Sequence, residues 1–281
     1  MKILNVVLIA AIALFMQCKQ AGVQKDQEII NGSVQKYAAN QYQLQALLWY
    51  QTSGELIALY HQGYSLARLM LDKKLPEKKR GKQKKLSPAL IVDIDETILN
   101  NSPFQGMLLQ RNTEYSDSLW LEWIKSAKAE ALPGALEFLK YAESKGVTVF
   151  YLSNRYEGAQ KEKTRQNLER LGFPNTRDTS FMLFRNDVSS KEARRTEISK
   201  NYEILLLCGD NLSDFSYVFD NRDKNNRIDS VDKYRHKFGE TFIVLPNPMY
   251  GDWEKFIWKD LKNLSPIQKD SLRYSFVKGI N

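Results

Sequence analysis

The chain has 281 residues and a formal net charge of +8, and this length is sufficient to bury the core of an enzyme. Its two cysteines cannot support a disulfide framework, and its two histidines argue against a histidine-nucleophile phosphatase or a histidine-rich zinc or di-iron site. A cysteine-nucleophile phosphatase would need an arginine six residues after Cys208, where this chain has Asp214.

The amino terminus has the pattern of an export signal. A lysine at the second position precedes the mainly apolar segment 3–15, which has the length of a signal core and is too short to span a membrane. We predict a signal peptide over 1–17 and a polar tether over 18–33, with export to the cell envelope. Cys18 stands where a bacterial lipoprotein is acylated, which predicts a lipid anchor in the outer membrane; ordinary export to the periplasm is the alternative.

The next segment predicts a helical hairpin followed by a basic linker. Residues 34–72 have helical periodicity, and Thr52 and Glu55, at the break between two segments, have the spacing of a capping box. The run 73–85 holds eight basic residues and one acid, which accounts for most of the net charge. We interpret this run as a solvated linker; a nucleic-acid or anionic-lipid patch is the alternative.

An apolar run over 90–92 predicts a buried strand that ends in two carboxylates. Asp93 and Asp95 would project on the same side, because side chains of a strand repeat every second residue. They would lie at the carboxyl end of the strand, where open α/β sheets bind ligands. Solvated acids in a simple turn are the alternative, but buried carboxylates require a compensating cation or hydrogen bonds.

Strands and helices alternate along the rest of the chain. After a polar, irregular stretch over 100–116, further strands are predicted over 147–152, near 181–184, and over 204–208 and 241–245. This order predicts an α/β fold with a mostly parallel sheet in three layers. Three strands precede polar clusters that we expect to meet at one edge of the sheet: Asp93/Asp95, Ser153/Asn154/Arg155 and Asp210/Asp214.

Five short motifs together resemble one enzyme family. They are IVDIDET (91–97), YLSNR (151–155), SKE (190–192), GDNLSDF (209–215) and LPNPMYGDW (245–253). With them the chain resembles the haloacid dehalogenase (HAD) superfamily, and within it the class C acid phosphatases of bacterial cell envelopes, which include lipoprotein 5′-nucleotidases. The resemblance implies a HAD-like Rossmannoid core over 86–99 and 133–260. It also implies a smaller helical domain that contains 34–85, a cap-like insertion over 100–132, and a carboxyl-terminal tail over 261–281.

The resemblance implies a magnesium-dependent phosphomonoesterase that acts through a phosphoaspartate. Asp93 matches the nucleophile and Asp95 the general acid/base. The Mg²⁺ ligands would be the carboxylates of Asp93 and Asp210 and the backbone carbonyl of Asp95. Asp214 is the other acidic residue of this metal site and would act behind the direct ligands.

The resemblance also implies how a substrate would bind. Phosphate would be bound by Ser153, Asn154 and Lys191. Aromatic side chains would stack on a nucleobase, and the candidates are Trp120, Tyr250 and Phe104. Small phosphomonoesters such as nucleotides are thus the expected partners, and no nucleic-acid partner is expected. Cys18 would provide contact with a membrane, and a homodimer is an open alternative. Two other functions stay open: a non-catalytic HAD-fold binding or storage protein, and a phosphotransferase.

Overall fold

The computed structural model describes residues 41–79, 86–220, 223–258, 261 and 263–279. The predicted signal peptide, Cys18 and tether lie outside these residues, as does the end of the basic run. Within the described part of the chain, no helix combines the length and the hydropathy needed to cross a membrane.

Strands and helices alternate as the sequence predicts. The strands are β1 (Ser87–Val92), β2 (Leu99–Asn100), β3 (Glu130–Ala131), β4 (Thr148–Tyr156), β5 (Met182–Arg185), β6 (Tyr202–Gly209) and β7 (Phe242–Val244). The α-helices are α1 (Leu44–Thr52), α2 (Gly54–Lys79), α3 (Ser102–Gln110), α4 (Asp117–Ser126), α5 (Ala135–Ser144), α6 (Ala159–Leu171), α7 (Glu192–Ser199), α8 (Lys224–Lys233) and α9 (Pro266–Ser275). Short 3₁₀ helices cover Gln41–Gln43, Thr179–Phe181, Leu212–Asp214, Tyr217–Phe219, Arg235–Lys237 and Lys255–Trp258.

A five-stranded parallel sheet forms the centre of the fold. Its order is β5-β4-β1-β6-β7, so the strand that precedes Asp93 lies in the middle. Successive residues of β1 belong to opposite faces: Leu90 and Val92 pack into one hydrophobic cluster, whereas Ala89 and Ile91 pack into the other. This alternation confirms the three-layer α/β fold with a mostly parallel sheet.

Helices α1 and α2 pack on the central sheet. Tyr60, Tyr64 and Leu71 of α2 are buried in the same cluster as Leu90 of β1. The resemblance implies a smaller helical domain that contains 34–85, but the apolar faces of α1 and α2 are buried in the same hydrophobic cluster as the central sheet. All described residues lie in one compact unit, Ala39–Asn281.

The break between α1 and α2 occurs where the sequence predicts it, but the cap differs. The Ser53 hydroxyl accepts the Leu56 amide at 3.2 Å, while the Thr52 hydroxyl donates back to the Leu48 carbonyl at 2.7 Å. The capping box predicted at Thr52 is therefore wrong, and Ser53 provides the cap. Helix α2 then continues to Lys79, so the basic run begins inside a helix.

The insertion after β1 is closed by a short antiparallel pair, β2 and β3. Its first half contains α3, where the sequence predicts an irregular stretch. Polar residues Ser102 and Gln105 are buried in α3 beside Phe104 and Leu108, so the buried face lacks a continuous apolar pattern. The carboxyl-terminal tail predicted over 261–281 contains α9, which begins at Pro266.

Candidate active site

Asp93 directly follows the central strand and is held in a polar pocket. Its amide donates to the Cys208 carbonyl of β6 at 2.9 Å, which continues the β1–β6 ladder by one residue. The carboxylate accepts from the Thr97 hydroxyl at 3.3 Å and from the ammonium of Lys191. Only 7% of Asp93 is exposed, and burial raises the pKa of its carboxyl to about 7, although Lys191 lowers it.

Lys191 brings a buried positive charge to this carboxylate. It precedes α7, is 3% exposed, and donates to Asp93 and, at 2.7 Å, to Asp214. Burial opposes its charged form, but the carboxylates of Asp214 and Asp93 outweigh that effect and raise the pKa of Lys191. The lysine therefore stays an ammonium in contact with two acids.

Asp93, Asp210 and Asp214 form a carboxylate cluster at the carboxyl ends of β1 and β6. One oxygen from each of these three side chains lies within 4.8 Å of the other two. Burial, followed by the charges of Asp214 and Asp93, raises the pKa of Asp210 well above its ordinary range. Three carboxyl groups facing one ammonium favour full ionisation only with a further cation, and an all-oxygen set of donors suits Mg²⁺ or Ca²⁺. The cluster therefore fits the divalent cation that the sequence predicts.

Hydrogen bonds from two loops hold the carboxylates of Asp210 and Asp214. The Asn247 amide group donates to Asp210 Oδ2 at 2.8 Å, and the Asn211 backbone amide donates to Asp214 Oδ2 at 2.9 Å. Gly209 is needed here because an added Cβ would lie 2.4 Å from Asp214 Oδ2. The glycine of the GDNLSDF motif thus lets the Asp214 carboxylate turn back against the end of β6.

Asp95 makes contacts of a different kind from those of Asp93. Its carboxylate forms an ion pair with Arg155, at 2.6 Å from Nη2, and accepts from the Asn101 side chain at 2.9 Å. Arg155 is almost fully buried, whereas 22% of the Asp95 side chain is exposed. Asp95 therefore has access to solvent although its partners are buried.

Two of the three residues predicted to bind phosphate, Ser153 and Asn154, lie near the end of β4, which continues to Tyr156. Ser153 is fully buried and its hydroxyl accepts the Arg155 amide at 3.1 Å, while Asn154 is exposed. Arg194, which sequence reasoning did not assign to the site, donates to the Ser153 carbonyl at 2.6 Å and to Asn154 Oδ1 at 2.7 Å. The only signal in the sequence for this role is its position in α7, one turn after Lys191.

The aromatic candidates divide into partly exposed and buried rings. Trp120 and Tyr250 are partly exposed, and Arg155 lies 5.3 Å from the centroid of the Trp120 ring. Phe104 is 1% exposed and packs edge-on against Trp120 with ring centroids 5.0 Å apart. Phe104 is therefore too buried for the direct substrate contact that the resemblance implies. Its ring packs against Trp120 instead.

Three comparisons with known proteins agree with this architecture. The family model described as HAD superfamily, subfamily IIIB (acid phosphatase), matches residues 8–253. The structure of the class C acid phosphatase from Bacillus anthracis is 42% identical, with a TM-score of 0.79, and the match covers 86% of this chain and 99% of that one. A structure of that enzyme with tungstate bound is 43% identical, with the same TM-score and coverage.

Curated plant proteins match a smaller part of the chain. A stem 31 kDa glycoprotein of Glycine max is 29% identical over 57% of this chain and 58% of its own length. Acid phosphatase 1 of Solanum lycopersicum is 26% identical over 57% of each. The chain thus spans about half the length of the curated relatives it matches.

Proposed function

Because the chain belongs to subfamily IIIB of the HAD superfamily, the acid phosphatases, a family of phosphomonoesterases, we propose that it hydrolyses small phosphomonoesters with Mg²⁺ through a phosphoaspartate. The observation that carries this proposal is the buried Asp93 carboxylate, which lies beside Lys191 and within 4.8 Å of oxygens of Asp210 and Asp214. These groups supply a nucleophile, a cation and the ligands for a metal ion in one place.

The reaction needs positive charge around Asp93. A carboxylate that approaches a phosphate dianion at about 4 Å is repelled by roughly 1 to 4 kcal/mol, depending on the local dielectric. Lys191 is in hydrogen-bond contact with Asp93 and can offset part of this repulsion. Asp93 and Asp210 would hold Mg²⁺, with the Asp95 backbone carbonyl, and the ion when bound would neutralise phosphate charge and align the phosphoryl group.

Asp93 and Asp95 would divide the chemistry between them. Asp93 attacks phosphorus and forms a new P–O bond while the ester P–O bond breaks, and Asp95 gives its proton to the departing oxygen. In the second step, water gives a proton to Asp95 as its oxygen attacks phosphorus, and the bond between Asp93 and phosphorus breaks. The partial exposure of Asp95 supports this role, since water and alcohol must both reach it.

We infer that Ser153, Asn154 and Lys191 bind the phosphate group. The tungstate in the Bacillus anthracis enzyme supports an oxyanion site, because tungstate is tetrahedral like phosphate. Nucleoside monophosphates are the proposed substrates, with the base stacked on Trp120 or Tyr250. Stacking contributes about 1–3 kcal/mol per base and tolerates different bases.

The proposed place of action rests on the sequence of residues 1–18 alone. The signal-like start and Cys18 support export to the cell envelope, as an outer-membrane lipoprotein or in the periplasm. Intact mass of the protein purified from membranes should include a diacylglycerol-type lipid on Cys18. An unmodified mature chain would favour the periplasm.

A non-catalytic storage role is less well supported than hydrolysis. Such a protein has no need of Asp93, Lys191 and Asp210 in one buried cluster, where three carboxylates are costly. A phosphotransferase would use the same residues, and it differs only in the acceptor of the phosphoryl group. Product analysis with an added alcohol separates the two activities.

The test of the proposed function is turnover of an aryl phosphate with added Mg²⁺. Asp93→Asn should abolish turnover, and Asp95→Asn should lower kcat by about 10²–10⁴-fold, because hydrolysis of the phosphoaspartate needs its general base whichever ester formed it. Chelation of the metal should abolish turnover in the parent protein. Asp178→Asn is the matched control, because Asp178 is an exposed cap that Asn can replace. Unchanged activity in Asp93→Asn would falsify the proposal.

A further inference from the structure

The contacts of Asp95 with Arg155 and Asn101 distinguish its two carboxylate oxygens. Oδ1 accepts three hydrogen bonds: from Arg155 Nη2 at 2.6 Å, from Arg155 Nε at 3.0 Å and from Asn101 Nδ2 at 2.9 Å. Among the described residues, Oδ2 accepts one longer bond, from Arg155 Nε at 3.2 Å. Oδ1 is therefore saturated with donors, and Oδ2 keeps free capacity for a proton.

Hydrogen bonds to residues other than Asp95 also fix the Arg155 side chain. Its Nη1 donates to the Thr164 hydroxyl of α6 at 2.8 Å, and its Nη2 also donates to Asn101 Oδ1 at 3.3 Å. The side chain is only 2% exposed. A buried guanidinium with its donors occupied on several sides has little freedom, so it can hold a partner in one orientation.

Asn101 connects this pair to the insertion. Its Oδ1 accepts from Trp123 Nε1 of α4 at 2.8 Å, and its backbone amide donates to the Glu96 carboxylate at 2.7 Å. Asn101 is fully buried. The orientation of the Asp95 carboxylate is thus linked by direct hydrogen bonds to the helix that also carries Trp120.

We propose that Arg155, together with Asn101, is a positioning residue that fixes the Asp95 carboxylate so that Oδ2 is the oxygen that exchanges the proton. This inference rests on the proposed general acid/base role of Asp95. Arg155 does not need to contact the substrate for this purpose. It occupies Oδ1 with donors, and Oδ2 is left for the leaving group and then for water.

The test compares substrates whose leaving groups need a proton to different degrees. An alkyl phosphate such as glycerol phosphate expels a strongly basic alkoxide, whereas p-nitrophenyl phosphate expels a stable anion. General acid catalysis contributes about 10²–10⁴-fold, so Arg155→Ala should lower kcat/KM for the alkyl ester by about 10²-fold or more. The loss with the aryl ester should be much smaller, and millimolar guanidinium should restore part of the alkyl activity.

Two further variants separate positioning from a purely structural role. Arg155→Lys keeps the buried charge but cannot form the two-nitrogen fork, so it should fold and should still show the selective loss of the alkyl ester. Tyr151→Phe is the control for destabilisation: Tyr151 belongs to the same strand as Arg155, and the substitution removes its buried hydrogen bond to the Pro174 carbonyl but none of the hydrogen bonds of Asp95. It should not change the ratio between the two substrates.

The outcomes also separate this inference from the proposed function. Equal losses with both substrates in Arg155→Ala and Arg155→Lys, while Asp95→Asn shows the selective loss, would overturn the role of Arg155 alone. An Asp95→Asn variant whose kcat/KM falls equally for the alkyl and the aryl ester would overturn the acid role of Asp95, and the inference about Arg155 would fall with it.

Discussion

Replacement of Gly209 by alanine tests whether the carboxylate cluster depends on the close approach of Asp214 to the end of β6. The ideal position of the new Cβ lies 2.4 Å from Asp214 Oδ2, 2.5 Å from its Cβ and 2.8 Å from its Cγ. All three distances are too short for non-bonded atoms, and the crowded atoms belong to a side chain held at both oxygens. Either the strand end or Asp214 must move.

The loss of stability in Gly209→Ala depends on whether the strand end or Asp214 moves. Overpacking of a filled interior costs about 1–3 kcal/mol. If Asp214 moves instead, it loses the bonds to the Asn211 amide and the Lys191 ammonium, and hydrogen bonds to charged groups are worth about 1.5–3 kcal/mol each. We therefore expect Gly209→Ala to lower the free energy of unfolding by about 1–3 kcal/mol. A shift of about 1 Å at a catalytic cluster can also cost roughly 10²-fold in rate.

Urea unfolding and turnover of an aryl phosphate with Mg²⁺ measure these two effects. Gly54→Ala is the matched control, since nothing lies within 4 Å of a Cβ built at Gly54, the first residue of α2. It should leave activity unchanged and should be neutral or stabilise the protein by up to about 1 kcal/mol. A Gly209→Ala protein with parental stability and parental activity would refute the claim that the cluster requires glycine.

Other substitutions address the buried cation, the support of the loop after β1 and the aromatic surface. Lys191→Met should abolish turnover and cost about 3–5 kcal/mol of stability, because it leaves buried carboxylates without their cation. The control Lys200→Met, at an exposed lysine, should change neither turnover nor stability. Tyr60→Phe removes a hydroxyl that donates to the Glu96 carbonyl at 2.5 Å, and it should lower the free energy of unfolding in urea by about 1–3 kcal/mol. A loss below the error of the measurement would mean that this contact does not support the loop after β1. Trp120→Ala should raise KM for nucleoside monophosphates by about 5- to 150-fold, as expected for the loss of about 1–3 kcal/mol of stacking, and should raise KM for glycerol phosphate less. Equal changes in KM for both substrates would exclude base stacking on this ring.

The central sheet and the carboxylate cluster could be predicted from the sequence because each depends on a local pattern. The apolar run before Asp93 and the run before Asp210 each encode a buried parallel strand, and the ends of such strands meet at one edge. That rule was sufficient to predict that these two residues meet, although 117 positions separate them in the sequence. The resemblance to a known family then assigned chemical roles to them.

The same rule predicts that Asp95 and the Ser153/Asn154/Arg155 cluster share one edge of the sheet, but it does not identify Arg155 and Asn101 as the hydrogen-bond partners of Asp95. Arg155 lies 60 positions from Asp95, and its guanidinium reaches back from the end of β4 to the loop after β1. Asn101 begins a segment that looked irregular, because α3 buries polar as well as apolar side chains. No periodicity encodes a contact of this kind, since a long side chain and the packing of α6 and α4 determine it. Helix α8 likewise has no clear periodic signal, because its sequence KNNRIDSVDK contains only two apolar residues.

Calorimetric titration of Mg²⁺ into the purified protein tests most directly whether Asp93 and Asp210 share one divalent cation. Single-site binding is expected in the parent protein and in Asp178→Asn, with strong weakening in Asp210→Asn. A parent protein that does not bind Mg²⁺, or an Asp210→Asn variant that binds it as tightly as the parent, would contradict the metal-dependent site built from the ends of β1 and β6.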